Sequence, residues 1–267
     1  MVQGFVTRLA LWIGLLLGGG LWALVLERLF MALTTTAFLL SRYKAFFADL
    51  LAQGGEHQGF WRKEIWPLQW RFAVVVSSGF VPMLCVPVLF AFDGPTAAGR
   101  IGMTWGLTSA LLSLSFAVVQ TKTPRLAIMA AKREFQELDR LFARTLYGAL
   151  AIMGLGSLLV VALVFTLNQL DLPLAHRFLP LVPTLLFLVA SWGQLIKHSL
   201  ATYLRAHKKE PFLVLSLVEA ALILGALYPL GRTYGALGLA WGFAAVGVAV
   251  LIPAGLIFRH CREHWHR

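Results

Sequence analysis

The sequence predicts an all-α fold, a polytopic integral membrane bundle of about eight transmembrane helices, and three observations carry that prediction. Mean hydropathy is +0.77 with only 13% charged residues, whereas about a quarter of a soluble domain is charged. The apolar residues fall in blocks of about twenty, the length that carries an α-helix across roughly 30 Å of hydrocarbon. Positive charge alternates between successive connecting segments, the pattern that sets orientation in a bilayer. The alternating strands of a membrane β-barrel are not in the pattern.

Six blocks are clear: Phe72 to Phe92, Ile101 to Val119, Leu146 to Leu167, Phe178 to Ile196, Phe212 to Leu230 and Leu237 to Phe258. Two more precede them. Leu9 to Leu26 follows Arg8 and imitates a signal peptide, but it is long and no small-x-small cleavage site follows it, so it reads as a retained helix. Leu29 to Leu40 is too short to cross alone and has to extend into the Tyr43 to Leu51 region. Glu27 and Arg28 lie between these runs, where they can reach an interface. Gly18, Gly19, Gly20, Pro82, Pro87, Pro180, Pro183, Gly238 and Gly242 lie within the predicted spans, where such residues permit kinks and close helix approach.

The segments Ser41 to Arg71, Gln120 to Thr145 and Lys197 to Glu210, with the tail after Phe258, hold 18 Lys and Arg, against 3 (Arg100, Arg177, Arg232) in the segments between them. The basic segments and the C-terminus are therefore expected to be cytoplasmic. This distribution accounts for the net charge of +11 through anionic lipid headgroups, without a nucleic acid partner. Cys85 and Cys261 are far apart and give no disulfide framework.

Within Gln120 to Thr145, Ala131, Phe135, Leu138 and Phe142 recur at three- and four-residue spacing, with charges on the opposite face. This predicts one amphipathic helix at the cytoplasmic interface, begun at Pro124. The residues also show no phosphate loop, zinc-protease pattern or nucleophile elbow, so no enzyme is expected. The tail RHCREHWHR gathers His260, Cys261, His264 and His266, but the spacing matches no closed tetrahedral site. It reads as a poorly ordered basic anchor, with no metal or cofactor implied. Glu219, inside LVLSLVEAALIL, is the one acid firmly within a span. An ionisable group there costs roughly 2.5–3.5 kcal/mol on insertion scales, so it is a candidate ion-coupling residue, or a protonated acid satisfied by a neighbouring helix.

The segment TKTPRLAIMAAKREFQELDRLFART resembles the cytoplasmic segment of polysaccharide or O-antigen flippases of the multidrug/oligosaccharidyl-lipid/polysaccharide (MOP) superfamily. ATYLRAHKKEPFLVLSLVEAALILGALYPLGRTYGALGLAWGFA resembles that family's late helix pair, and the likeness runs from about Trp61 to Arg267. It implies that residues 61–267 form a six-helix C-terminal lobe, and that residues 1–60 hold the end of the N-terminal lobe and a linker. The earlier helices of that lobe would then be missing, through a truncated or split chain or through supply by a second chain. The implied function is flipping of a polyprenyl-pyrophosphate-linked glycan for envelope polysaccharide or lipopolysaccharide synthesis at a bacterial inner membrane, by rocking of two lobes. Cations at cytoplasmic helix ends would hold the pyrophosphate, and Arg71, Lys122, Arg125, Lys197 and Arg205 are the candidates. The rival readings are a MOP-type drug or metabolite antiporter and a non-transporting scaffold of a polysaccharide assembly complex.

Overall fold

In hydrocarbon every backbone N–H and C=O must be satisfied within its own segment or a closed barrel, and helix is the only regular secondary structure among the described residues of this chain. The computed structural model describes residues 9, 11–20, 22–52 and 65–265. The chain divides into two units, Met1–Glu64 and Ile65–Arg267. Among the described residues, four helical stretches are long and apolar enough to cross a membrane: Trp22–Arg42, Gln69–Lys132, Phe135–Gln169 and Leu213–Trp265. By length and composition this is a membrane protein.

In the first unit, residues 11–16 are helical and a turn follows. The chain then runs back, since a Cβ placed on Gly14 would lie 3.1 Å from Ala23 Cβ. Helices α1 (Trp22–Arg42) and α2 (Lys44–Ala52) follow. The expected run from Leu9 to Leu26 is thus broken at its glycines. The expected boundary at Glu27 and Arg28 lies within α1, where Glu27 is buried.

The second unit contains α3 (Trp66–Ser78), α4 (Cys85–Gln120), α5 (Thr123–Lys132), α6 (Phe135–Gln169), α7 (Leu181–Arg205) and α8 (Leu213–Trp265). The expected span Phe72 to Phe92 is interrupted by a 3-10 turn at Val81–Leu84, because Pro82 supplies no N–H to an α-helical ladder. Two of these helices are hairpins. A straight α4 would hold residues 86 and 102 roughly 24 Å apart, yet a Cβ placed on Gly102 would lie 3.9 Å from Val86 Cγ2. The reversal is at Gly94, whose φ of 81° and ψ of −174° suit a residue without a Cβ, and Pro95 starts the returning arm. In α8 the reversal is at Gly235 (φ 56°, ψ −139°), and a Cβ on Gly242 would lie 3.6 Å from Ala226 Cβ. Each of these two helices of the unit thus consists of two arms.

Its core has three parts. At the basic end, Leu126, Met129, Leu138, Tyr203, Phe212 and Ala254 pack together. At the far end, Cys85, Leu89, Ile101, Phe187, Leu227 and Leu239 form a second cluster. Leu111, Val119, Met153 and Leu195 lie in a third. Helix α7 packs against α4, α6 and α8. Surrounded by protein, it carries Thr184, Ser191, Ser199 and Thr202 buried.

The segment Gln120 to Thr145 is not one helix. Arg133 adopts a left-handed conformation (φ 59°) that closes α5, and the Glu134 N–H caps the Met129 carbonyl at 3.0 Å. Ala131, expected on the apolar face, is exposed, while Leu126 and Met129 are buried instead. Leu138 and Phe142 are buried in the first turns of α6. That helix has 35 residues, about 52 Å, and its polar first turns run straight on from the span.

Candidate functional site

Most buried polar groups of α7 are content within the helix. Ser191, Ser199 and Thr202 each donate to the carbonyl four residues earlier, at 2.9, 2.7 and 2.9 Å. Gln194 and Lys197 are too long and too polar for that solution. Three residues apart, they share a face of α7, opposite Glu219 on the first arm of α8. Gln194 Nε2 donates to Glu219 Oε1 at 2.6 Å, and Lys197 Nζ forms an ion pair with Oε2. The side chains of Lys197 and Glu219 are 11% and 6% exposed. Each carboxylate oxygen thus has its own donor, and the site is electrically neutral.

Of the five cations predicted to hold pyrophosphate, Lys197 alone lies inside the bundle. The expected span ended at Ile196, but α7 continues to Arg205, so Lys197 is eight residues inside it. The charge split between the two sets of segments is then 17 to 3. Arg205 is engaged by Glu210, with a second contact at 3.2 Å from Nη2 to Oε1, and its guanidinium lies 5.0 Å from the centre of the Phe72 ring. Arg71 is exposed, 5.9 Å from the Trp70 ring centre. Lys122 and Arg125 are exposed at the start of α5. The structure brings Lys197 and Glu219, which the sequence suggested for separate roles, into one site. The other four cations lie at the basic end.

Sequence reasoning missed Gln194 and a second network at the basic end. Tyr203 Oη donates to Asp139 Oδ1 at 2.5 Å, and Arg262 donates to Oδ2 from Nε at 3.1 Å and Nη2 at 2.6 Å. One carboxylate on α6 thereby joins α7 to the end of α8. The tail is consequently not a loose anchor: α8 is helical to Trp265, whose ring lies 5.0 Å from that of His207 and 4.8 Å from Lys209 Nζ. No single residue announced this. Asp139 read as one charge on a polar face, and its partners lie 64 and 123 positions away. Asp139→Ala is expected to lower stability by about 1–2 kcal/mol, the worth of hydrogen bonds to a charged group at a partly exposed site. Asp139→Asn should recover part of that loss, as measured by thermal unfolding in detergent.

At the far end, Asp93, Thr96, Arg100, Pro180, Pro183 and Leu237 line a cleft of about 420 Å³. Arg100 Nε donates to the His176 carbonyl at 2.8 Å. In the tail, the rings of His260 and His264 lie 4.2 Å apart, and no group of three or more metal-ligating side chains occurs among the described residues. His266, Arg62, Lys63 and Arg267 lie outside those residues. Compared with protein families, curated proteins and solved structures, the chain finds no match.

Proposed function

We propose that the chain crosses a membrane about eight times, twice before residue 65 and six times after it, and translocates a polyprenyl-pyrophosphate-linked glycan used in cell-envelope polysaccharide synthesis. The observation that carries this reading is the Lys197–Glu219 pair with Gln194, buried in the bundle. An ionisable pair inside a membrane bundle is costly, and such groups mark substrate and ion pathways. The resemblance to polysaccharide flippases supports the same reading. Its two segments cover α5 with the start of α6, and the end of α7 with the hairpin of α8.

A bacterial inner membrane with the basic end in the cytoplasm fits the charge split. A reporter placed at Arg133 and Glu134 should read as cytoplasmic and one at Asp93 and Gly94 as external. The opposite result would reverse the orientation.

The direct test is translocation of a fluorescent polyprenyl-pyrophosphate glycan in proteoliposomes. Transport well above that of protein-free vesicles is expected, with Lys197→Met and Glu219→Gln each abolishing it at equal reconstituted amounts. Transport no faster than in empty vesicles would overturn the reading in favour of a scaffold. One observation favours that alternative: the two charges satisfy each other within the chain.

A further inference from the structure

Lys197 and Glu219 lie well inside their helices. Glu219 is six residues beyond the first residue of α8 and Lys197 eight before the last of α7, depths of about 9 and 12 Å. In such surroundings the net charge of the site is the controlling quantity, because an uncompensated charge away from water is strongly disfavoured. The pair as found is neutral. An oxyanion arriving alone would make the site negative and would meet the Glu219 carboxylate; a proton arriving alone would leave the Lys197 ammonium without its partner. For an oxyanion group of single negative charge, such as one phosphate of a pyrophosphate diester, only the two together preserve neutrality.

We infer that Lys197, Glu219 and Gln194 form an exchange site that takes up one singly charged oxyanion group and one proton together, with the anion replacing Glu219 on Lys197. In the empty state the ammonium bonds the carboxylate. In the loaded state the carboxylate has accepted one proton from the medium, the ion pair is broken, and the unchanged ammonium holds a phosphate-type oxygen. No bond other than that O–H is made or broken. The inference rests on the translocator reading and deepens it, because it makes proton and anion obligatory partners at the same site.

Gln194 is the positioning residue. Its NH₂ donates to Glu219 Oε1 at 2.6 Å in the empty state. A carboxylic acid needs an acceptor instead, and the amide carbonyl supplies one after rotation of the same group. A Ser or Lys at this place would serve these two states less evenly. The other titratable groups on elements packed against this arm of α8 are directed elsewhere. His198, the chain neighbour of Lys197 and the one group here that feels its charge, lies against Phe116 of α4, with ring centres 5.6 Å apart; Tyr203 donates to Asp139 and Arg100 to the His176 carbonyl. Arg71 and Arg205 are at the basic end, Cys85 is in the far-end core, and Asp93 lines the far-end cleft. The second arm of α8 has no titratable residue between Leu237 and Phe258.

Binding of methanesulfonate, a monoanion, and, separately, of a polyprenyl-pyrophosphate glycan, which carries one negative charge on each phosphate, tests the exchange; neither probe titrates near neutrality. Calorimetry on the full chain in nanodiscs, in two buffers of different ionisation heat, reads protons taken up per anion bound. The expected result is about one proton per anion, with affinity falling about tenfold per pH unit above the midpoint. Glu219→Gln should bind with no pH slope and no proton uptake, and Lys197→Met should not bind. Gln194→Leu should bind with the midpoint moved to higher pH, since it loses the donor that favours the carboxylate. The double variant Lys197→Met, Glu219→Leu is uncharged at the site, so it should fold and should bind neither probe. Binding of methanesulfonate and glycan alike identifies a general oxyanion site, and binding of the glycan alone one that also reads the lipid or sugar; either supports the exchange. Wild-type binding that is flat with pH, or no binding of either probe, overturns it. If Lys197→Met still translocates glycan, the functional reading fails as well, whereas transport lost in that variant beside pH-flat wild-type binding sinks the exchange alone.

Discussion

Lys197→Met is expected to destabilise the bundle by roughly 3–5 kcal/mol, the cost of leaving a buried charge without its partner. Glu219→Leu should cost about as much, because it strands the ammonium instead. The double variant should recover most of the loss, since two apolar side chains of similar volume need no solvation. The double-mutant cycle would therefore show a coupling larger than exposed ion pairs give. Thermal unfolding of the four proteins in one detergent measures this. Single variants as stable as wild type would mean that water reaches the pair freely.

The second large effect is steric. A Cβ added at Gly193 would lie 2.9 Å from the Gly247 carbonyl oxygen and 3.2 Å from its carbon. These are backbone atoms of the facing helix and cannot rotate away. At Gly247 the same addition meets Ala190 Cα at 3.4 Å, an ordinary contact. Gly193→Ala should therefore cost about 1–3 kcal/mol, the usual range for overpacking, and Gly193→Leu more, while Gly247→Ala stays within about 1 kcal/mol. Membrane helices are held together largely by such close packing, with little hydrophobic drive between them. Melting temperatures of the three variants, each purified at the same detergent concentration, check the order.

Composition and charge pattern made the helical membrane class legible, because hydrocarbon allows few backbone solutions. Glu219 stood out for the same reason. Its partners did not: Gln194 and Lys197 sit on another helix, and periodicity says nothing about which helix faces which. Lys197 was further disguised by its neighbours, since a lysine near Arg205, Lys208 and Lys209 reads as part of a basic loop until α7 is seen to run on to Arg205. The split at Arg133 was hidden because a left-handed arginine carries no glycine or asparagine signal. At Gly94 and Gly235 the glycine was present, yet many other glycines in the chain lie within straight helix.

Those two reversals turn in a single residue each. On that face the described residues of Ile65–Arg267 offer helix ends and the connection from residue 170 to 180. A molecule approaching this unit from there meets little loop that could be reshaped around it. Recognition from that side has to be built from positions fixed by the bundle, so a change of partner or ligand would require repacking of helices, where most surface proteins need only exchange a loop.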